Sequence, residues 1–177
     1  MTEKFRAYRD LLSQTYETAV NTLLTKYGPA QDDYFQQASY SAFKAGTIDK
    51  PVNGNVDRSD EGLFCHHIRA NHYLRLNDAQ SIINFHVPFT AQKKDQLVYA
   101  DVIEHMILHT LIAKETHQKF GWDELQIYLK PKVLEWYVSQ VTPIRPNERL
   151  SYKKAWLDQD EAIAIAERSD HTARGEL

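Results

Sequence analysis

Gly62-Leu63-Phe64-Cys65-His66-His67-Ile68 is a short apolar and aromatic run closing on a histidine doublet, and it reads as a β-strand. The polar stretch Arg69-Ala70-Asn71 then leads to a second candidate strand, His72-Tyr73-Leu74-Arg75-Leu76, so the two together predict a β-hairpin. Downstream, Leu97 to Lys114 runs without Gly or Pro and carries a broad apolar face of Val98, Val102, Ile103, Met106, Leu108, Leu111 and Ile112, which predicts a helix. Strand, hairpin and helix place the chain in the α+β class.

Other elements follow from the same patterns. Phe5, Tyr8, Leu12, Tyr16, Ala19 and Leu23 recur at three- and four-residue intervals, and Gly28-Pro29 supplies a stop, so one amphipathic helix is expected first. Ala45 to Glu61, with Gly46, Pro51 and Gly54, reads as a loop, and Asn77-Asp78 can cap a brief helix over Ala79 to Phe85. Trp122 to Leu129 and Val133 to Val138 look helical around Pro131. Thr142 to Pro146 is a connector, Glu161 to Glu167 a last helix, and residues 169 to 177 are expected to fray. The organisation expected is one domain, with residues 1–120 as the core unit and residues 121–177 as a helical extension packed on it.

Composition narrows the function. The chain has 177 residues, 42% hydrophobic and 25% charged, enough for one substantial core. No run of eighteen apolar residues is present and the first 28 residues are charged and amphipathic, so no membrane span or secretory signal is expected and the protein is read as cytoplasmic. Cys65 is the only cysteine, which excludes an intramolecular disulfide and a cysteine-cage zinc finger. The formal net charge of −3 argues against coating nucleic acid through bulk charge and leaves a local patch or delivery by a protein partner.

Eight histidines stand out, because imidazole is the commonest neutral metal ligand. Residues four apart share a helix face, so His105 and His109 can present two imidazoles to one ion, with a third from His66 or His67 if the hairpin crosses the helix. Three neutral histidines leave an ion open positions, the mark of a catalytic site, while an uncoordinated imidazole suits a general base. Adjacent strand residues point to opposite faces, so one of the doublet can ligate while its neighbour takes a proton, provided that the strand ends or twists there.

In order and context these residues resemble the HNH endonucleases. Cys65-His66-His67-Ile68, then Asp95-Gln96-Leu97-Val98-Tyr99, then Glu104-His105 with His109, is similar to the family's His-His, Asn-Leu-Val and His-x-x-x-His layout. Gly62 to Ile68 and Leu97 to Asp101, with Tyr27-Gly28-Pro29 upstream, also resemble HNH-like proteins of unassigned role from Gram-positive bacteria and their mobile elements. The resemblance covers roughly residues 24 to 115. It implies a ββα-metal (His-Me finger) core hydrolysing DNA or RNA with one divalent ion (magnesium, manganese, zinc or nickel). His66, His105 and His109 would be the ligands and His67 the general base. Gln96 falls where the family has the Asn that orients the base. Asp101, one turn before His105, is a candidate partner for that ring's outer nitrogen. Arg69 and Arg75 are candidate phosphate contacts. The alternative is a non-catalytic HNH-like protein that docks on a nucleic-acid enzyme or ribonucleoprotein, as mobile-element inhibitors of host defence (anti-CRISPR type) do, which the acidic net charge and Gln96 favour.

Overall fold

The computed structural model describes residues 1–176 and is α+β: eight α-helices and one two-stranded antiparallel sheet among the described residues. Helix α1 (Glu3–Leu12) starts where the Thr2 hydroxyl accepts a bond from the Phe5 amide, and α2 (Tyr16–Tyr27) starts where the Thr15 hydroxyl accepts one from Thr18. One continuous helix was expected here. The apolar period does continue from Leu12 to Tyr16, but the Thr15 side chain bonds the backbone and starts a new helix after a break at Ser13 and Gln14. Gly28 (φ +77°) stops α2, and α3 (Gln37–Lys44) buries Tyr40 and Phe43.

Strand β1 (Phe64–His67) pairs with β2 (Leu97–Ala100), not with residues 72–76. The expected hairpin does not form, because β1 ends at His67 in a single 3-10 turn (Ile68–Asn71) and the chain then bends through Arg75, whose φ is +46°. The chain between the strands carries α4 (Ala79–Asn84), capped by Asp78 as expected, and tucks Leu76, Ile82, Val87 and Ala91 against Phe35, Tyr40 and Phe43 in a small core of its own. Leu97 to Ala100, expected to begin the long helix, is strand. The helix α5 (Val102–Glu115) starts only after Asp101, whose side chain accepts from the Ile103 and Glu104 amides while the Glu104 carboxylate accepts from the Asp101 amide.

Beyond α5 the chain makes a wide π-type turn (Glu124–Leu129) that runs into α6 (Lys130–Tyr137), then α7 (Pro146–Lys154) and α8 (Gln159–Ala173). Helix α7 was not expected. Helix α8 reaches further than expected because Ser169, Thr172 and Ala173 are buried; Leu177, at the end of the expected frayed tail, lies outside the described residues. Helix α5 is the central rod, with α1, α2, α6 and α8 packed around it, and residues from both expected units enter one core. No helix among the described residues is long and apolar enough to cross a membrane.

The sheet's period of two positions the site. Val98 and Ala100 face the α5 core, whereas Leu97 and Tyr99 face a separate cluster with Ala30, Val56 and Leu63. Cross-strand partners share a face, so the register His66 with Val98 turns His66 toward α5, and the register His67 with Leu97 turns His67 away.

Candidate metal centre

His66 meets His105 and His109, one turn apart on α5. The ring centroids form a nearly equilateral triangle of 5.1, 4.9 and 5.0 Å with the rings edge to face, and one nitrogen from each ring lies within 4.8 Å of the other two. Nitrogens about 2.0–2.1 Å from a tetrahedral ion sit roughly 3.4 Å apart, within reach of a small side-chain adjustment. His66 and His109 are buried and His105 half-buried.

Electrostatics keep the three rings neutral. Burial first, and then the neighbouring imidazoles, hold His66 and His109 well below the ordinary histidine range, and burial together with Lys132 pushes His105 down to about 4. A neutral imidazole has a lone pair to give, which is what a metal needs. Tyr16 fixes which nitrogen offers it on His66. The tyrosine hydroxyl lies 2.9 Å from the Ile68 carbonyl oxygen and 2.9 Å from His66 Nε2. Its single proton goes to the carbonyl, which can only accept, so His66 Nε2–H donates to Tyr16 and Nδ1 keeps the lone pair. His109 Nδ1 is buried with no hydrogen-bond partner, an arrangement that costs about 1–3 kcal/mol unless something answers it. Three neutral imidazoles converging, one of them with an orphaned buried nitrogen, fit a divalent cation.

His67 sits on the other face of β1, yet reaches the same small cavity of about 130 Å³ because the strand ends there. Its Nε2 lies 2.8 Å from the Oε1 of Gln92, whose Nε2 donates to the Leu76 carbonyl at 2.9 Å. The Leu76 carbonyl fixes the orientation of the Gln92 amide, and the amide in turn fixes the ring: His67 carries its proton on Nε2 and leaves Nδ1 free. Burial pushes His67 down to about 4 against the opposing effect of Gln92, and the Tyr34 ring packs on it at 4.3 Å.

The remaining expected residues divide. Gln96 does not touch His67; its Oε1 accepts from Arg69 Nε at 3.1 Å on an exposed face, because the one-turn helix Lys94–Gln96 points it outward. The amide on His67 is Gln92. Arg69 therefore lies beside Gln96 in a separate surface cleft, whereas Arg75 lines the histidine cavity. Asp101 does not partner His105. One of its oxygens accepts from two backbone amides at the start of α5, the other from the Tyr8 hydroxyl at 2.8 Å, and burial raises its carboxyl to about 7. The ring stacked on His105 is Phe64.

Tyr16, Tyr34, Gln92 and Glu124 were not singled out in the sequence. Tyr16 was legible only as an apolar helix position, and Gln92, fully buried in the single turn Phe89–Gln92, carries no periodic signal at all.

No family model matches the chain, and neither the curated proteins nor the solved structures contain a match to it.

Proposed function

We propose that the protein is a one-metal phosphodiesterase with a ββα-metal core of the HNH kind, acting on DNA or RNA. The observation that carries this reading is the split of the histidine doublet: His66 turns to His105 and His109, while His67, held through Nε2 by Gln92, lines the same cavity. The order strand, strand, helix, with β2 running straight into the helix that holds His105 and His109, supports it.

His66, His105 and His109 would hold the ion, which when bound supplies positive charge to the phosphate and to the departing oxygen. His67 accepts the proton of the attacking water on Nδ1, the nitrogen left unprotonated when Gln92 holds the ring proton on Nε2. Gln92 keeps Nε2 protonated and the ring oriented, and Tyr34 limits its rotation. Arg75, on the cavity rim, is placed to hold a phosphate oxygen. Three imidazoles favour zinc or nickel by affinity, with manganese or magnesium able to serve in turnover.

The test is His67→Ala, which should keep the fold and the bound ion and lose divalent-ion-dependent cleavage of DNA or RNA. Undiminished cleavage by that variant refutes the base assignment. A second reading, a binding protein that docks on a nucleic-acid enzyme or ribonucleoprotein, is favoured by one observation: the larger cleft beside the histidines sets Asp78, Asp123 and Glu124 against Arg75 and Lys119, so it is not basic. Metal-loaded wild-type protein that cuts neither nucleic acid selects this second reading.

A further inference from the structure

Three neutral imidazoles bring no negative charge to a divalent ion, and the cations nearest the histidines, Arg75 and Lys132, add to its charge. One acid faces the same cavity. Glu124 lines it together with His66, His105 and His109, and also lines the larger cleft of about 460 Å³ beside it, so it stands at the junction of the two.

The backbone goes to some length to put it there. After α5 the chain reverses through His117, Gln118 and Gly121, all with left-handed φ (50°, 66° and 77°). Gly121 presses on the turn that carries the second ligand: a Cβ at this position would lie 2.6 Å from the His109 carbonyl oxygen and 3.0 Å from Ile112. Only glycine permits that approach. Three residues on, Glu124 opens the π-type turn, an irregularity that reshapes which side chains a helix presents and recurs at functional sites. The carboxylate so delivered is half-buried, and burial raises its proton affinity while only the more distant fields of Arg75 and Lys132 lower it; no hydrogen bond to it contributes. A partly desolvated carboxylate without a close partner, facing a cluster of neutral metal ligands, is short of a cation.

We propose that Glu124 is the charge-balancing acid of the metal centre, standing outside the ring of three histidines and strengthening their hold on a divalent ion. This rests on the metal centre of the preceding section. Glu124 lies outside the set of ligand atoms within 4.8 Å of one another, so it acts on the ion through space and not as a fourth ligand atom. A carboxylate lining the same cavity attracts a divalent ion through space, an effect on the order of tenfold in affinity at the high effective dielectric of an open site.

The experiment titrates the full chain with Zn²⁺ or Mn²⁺ alone against a competing chelator, comparing wild type, His105→Ala, Glu124→Gln and Glu124→Asp, with the urea unfolding of each metal-free protein as a control for folding. The expected result is one ion per chain for wild type, loss of binding in His105→Ala, and affinity about tenfold weaker in Glu124→Gln with unchanged metal-free stability. Glu124→Asp, which keeps the charge, should retain more affinity than Glu124→Gln. Wild-type affinity in Glu124→Gln, or equal losses in the Gln and Asp variants, overturns the role of Glu124 and leaves the histidine site standing. A wild-type protein that binds no ion overturns both.

Discussion

Replacing Gln92 by leucine, beside the matching replacement of Gln96, separates the amide that holds His67 from the one that only precedes β2. Gln92 is fully buried and makes two bonds, one to His67 Nε2 and one to the Leu76 carbonyl. Leucine fills similar space but answers neither group, and each orphaned buried group costs about 1–3 kcal/mol, offset in part by the apolar side chain. We expect a net loss of about 2–4 kcal/mol, read as a fall of roughly 4–16 °C in Tm for a chain of this size. The proton on His67 is then no longer confined to Nε2, the ring is freer to turn, and misplacement of a base by about 1 Å costs on the order of 100-fold in rate. Gln96→Leu breaks only exposed bonds, to Arg69 and Asp95, and should stay within about 0.5 kcal/mol of wild type, with cleavage unchanged. The assays are thermal unfolding in chelator and turnover of a phosphodiester substrate at saturating metal. If Gln92→Leu keeps wild-type stability and rate, or Gln96→Leu is the more damaging of the two, the assignment of the bracing amide is wrong.

Two further outcomes follow from the site. Tyr16→Phe strips His66 Nε2–H of its acceptor and the Ile68 carbonyl of its donor, so the ring is freed to change tautomer and metal affinity should fall about 10–100-fold, measured by chelator competition; unchanged affinity would remove Tyr16 from the centre. In pH, His67 and His105 hold values near 4, and His66 and His109 lie well below 6.5, whereas in the unfolded chain all four titrate near 6.5. Between those limits the unfolded state carries more protons, and metal-free stability falls as pH drops from about 6.5 toward 4. Asp101 works in the opposite sense, since its raised value makes the folded state hold the extra proton and lose stability as pH rises from 3.8 to about 7; four imidazoles outweigh one carboxyl. Urea unfolding in chelator should show a lower midpoint at pH 5 than at pH 7, and the reverse order contradicts the neutral-histidine reading.

What the sequence disclosed was local and periodic. The four-residue spacing of His105 and His109 holds on any helix, and Asp78 caps α4 because Asp is a strong N-cap wherever it occurs. Asp101-Val102-Ile103-Glu104 is itself a capping-box pattern, and taken as a helix start it would have moved the beginning of α5 and freed Leu97 to Ala100 to be the partner of β1. Instead the apolar run Leu97 to Ala100 merged with the helix behind it, since a buried strand and a buried helix look alike over four residues. Gln92, Tyr34 and Glu124 were out of reach for a different reason. Each is brought to the histidines by an irregular segment: a single 3-10 turn, a loop crossing, or a reversal through three left-handed residues. Such segments leave no repeat to read.

The pairing of β1 with β2 across the excursion from Ile68 to Gln96 has a topological consequence. Each strand is only four residues long, and the small core beneath the excursion is separate from the main one. An ion bridging His66 to His105 would rivet the two ends of a 39-residue loop, a constraint that for a covalent cross-link of that span amounts to about 4 kcal/mol of chain entropy. A bound ion would thus also be a clasp on the fold: chelation would loosen the excursion and its small core, while the separate core of the helical bundle around α5 stays closed.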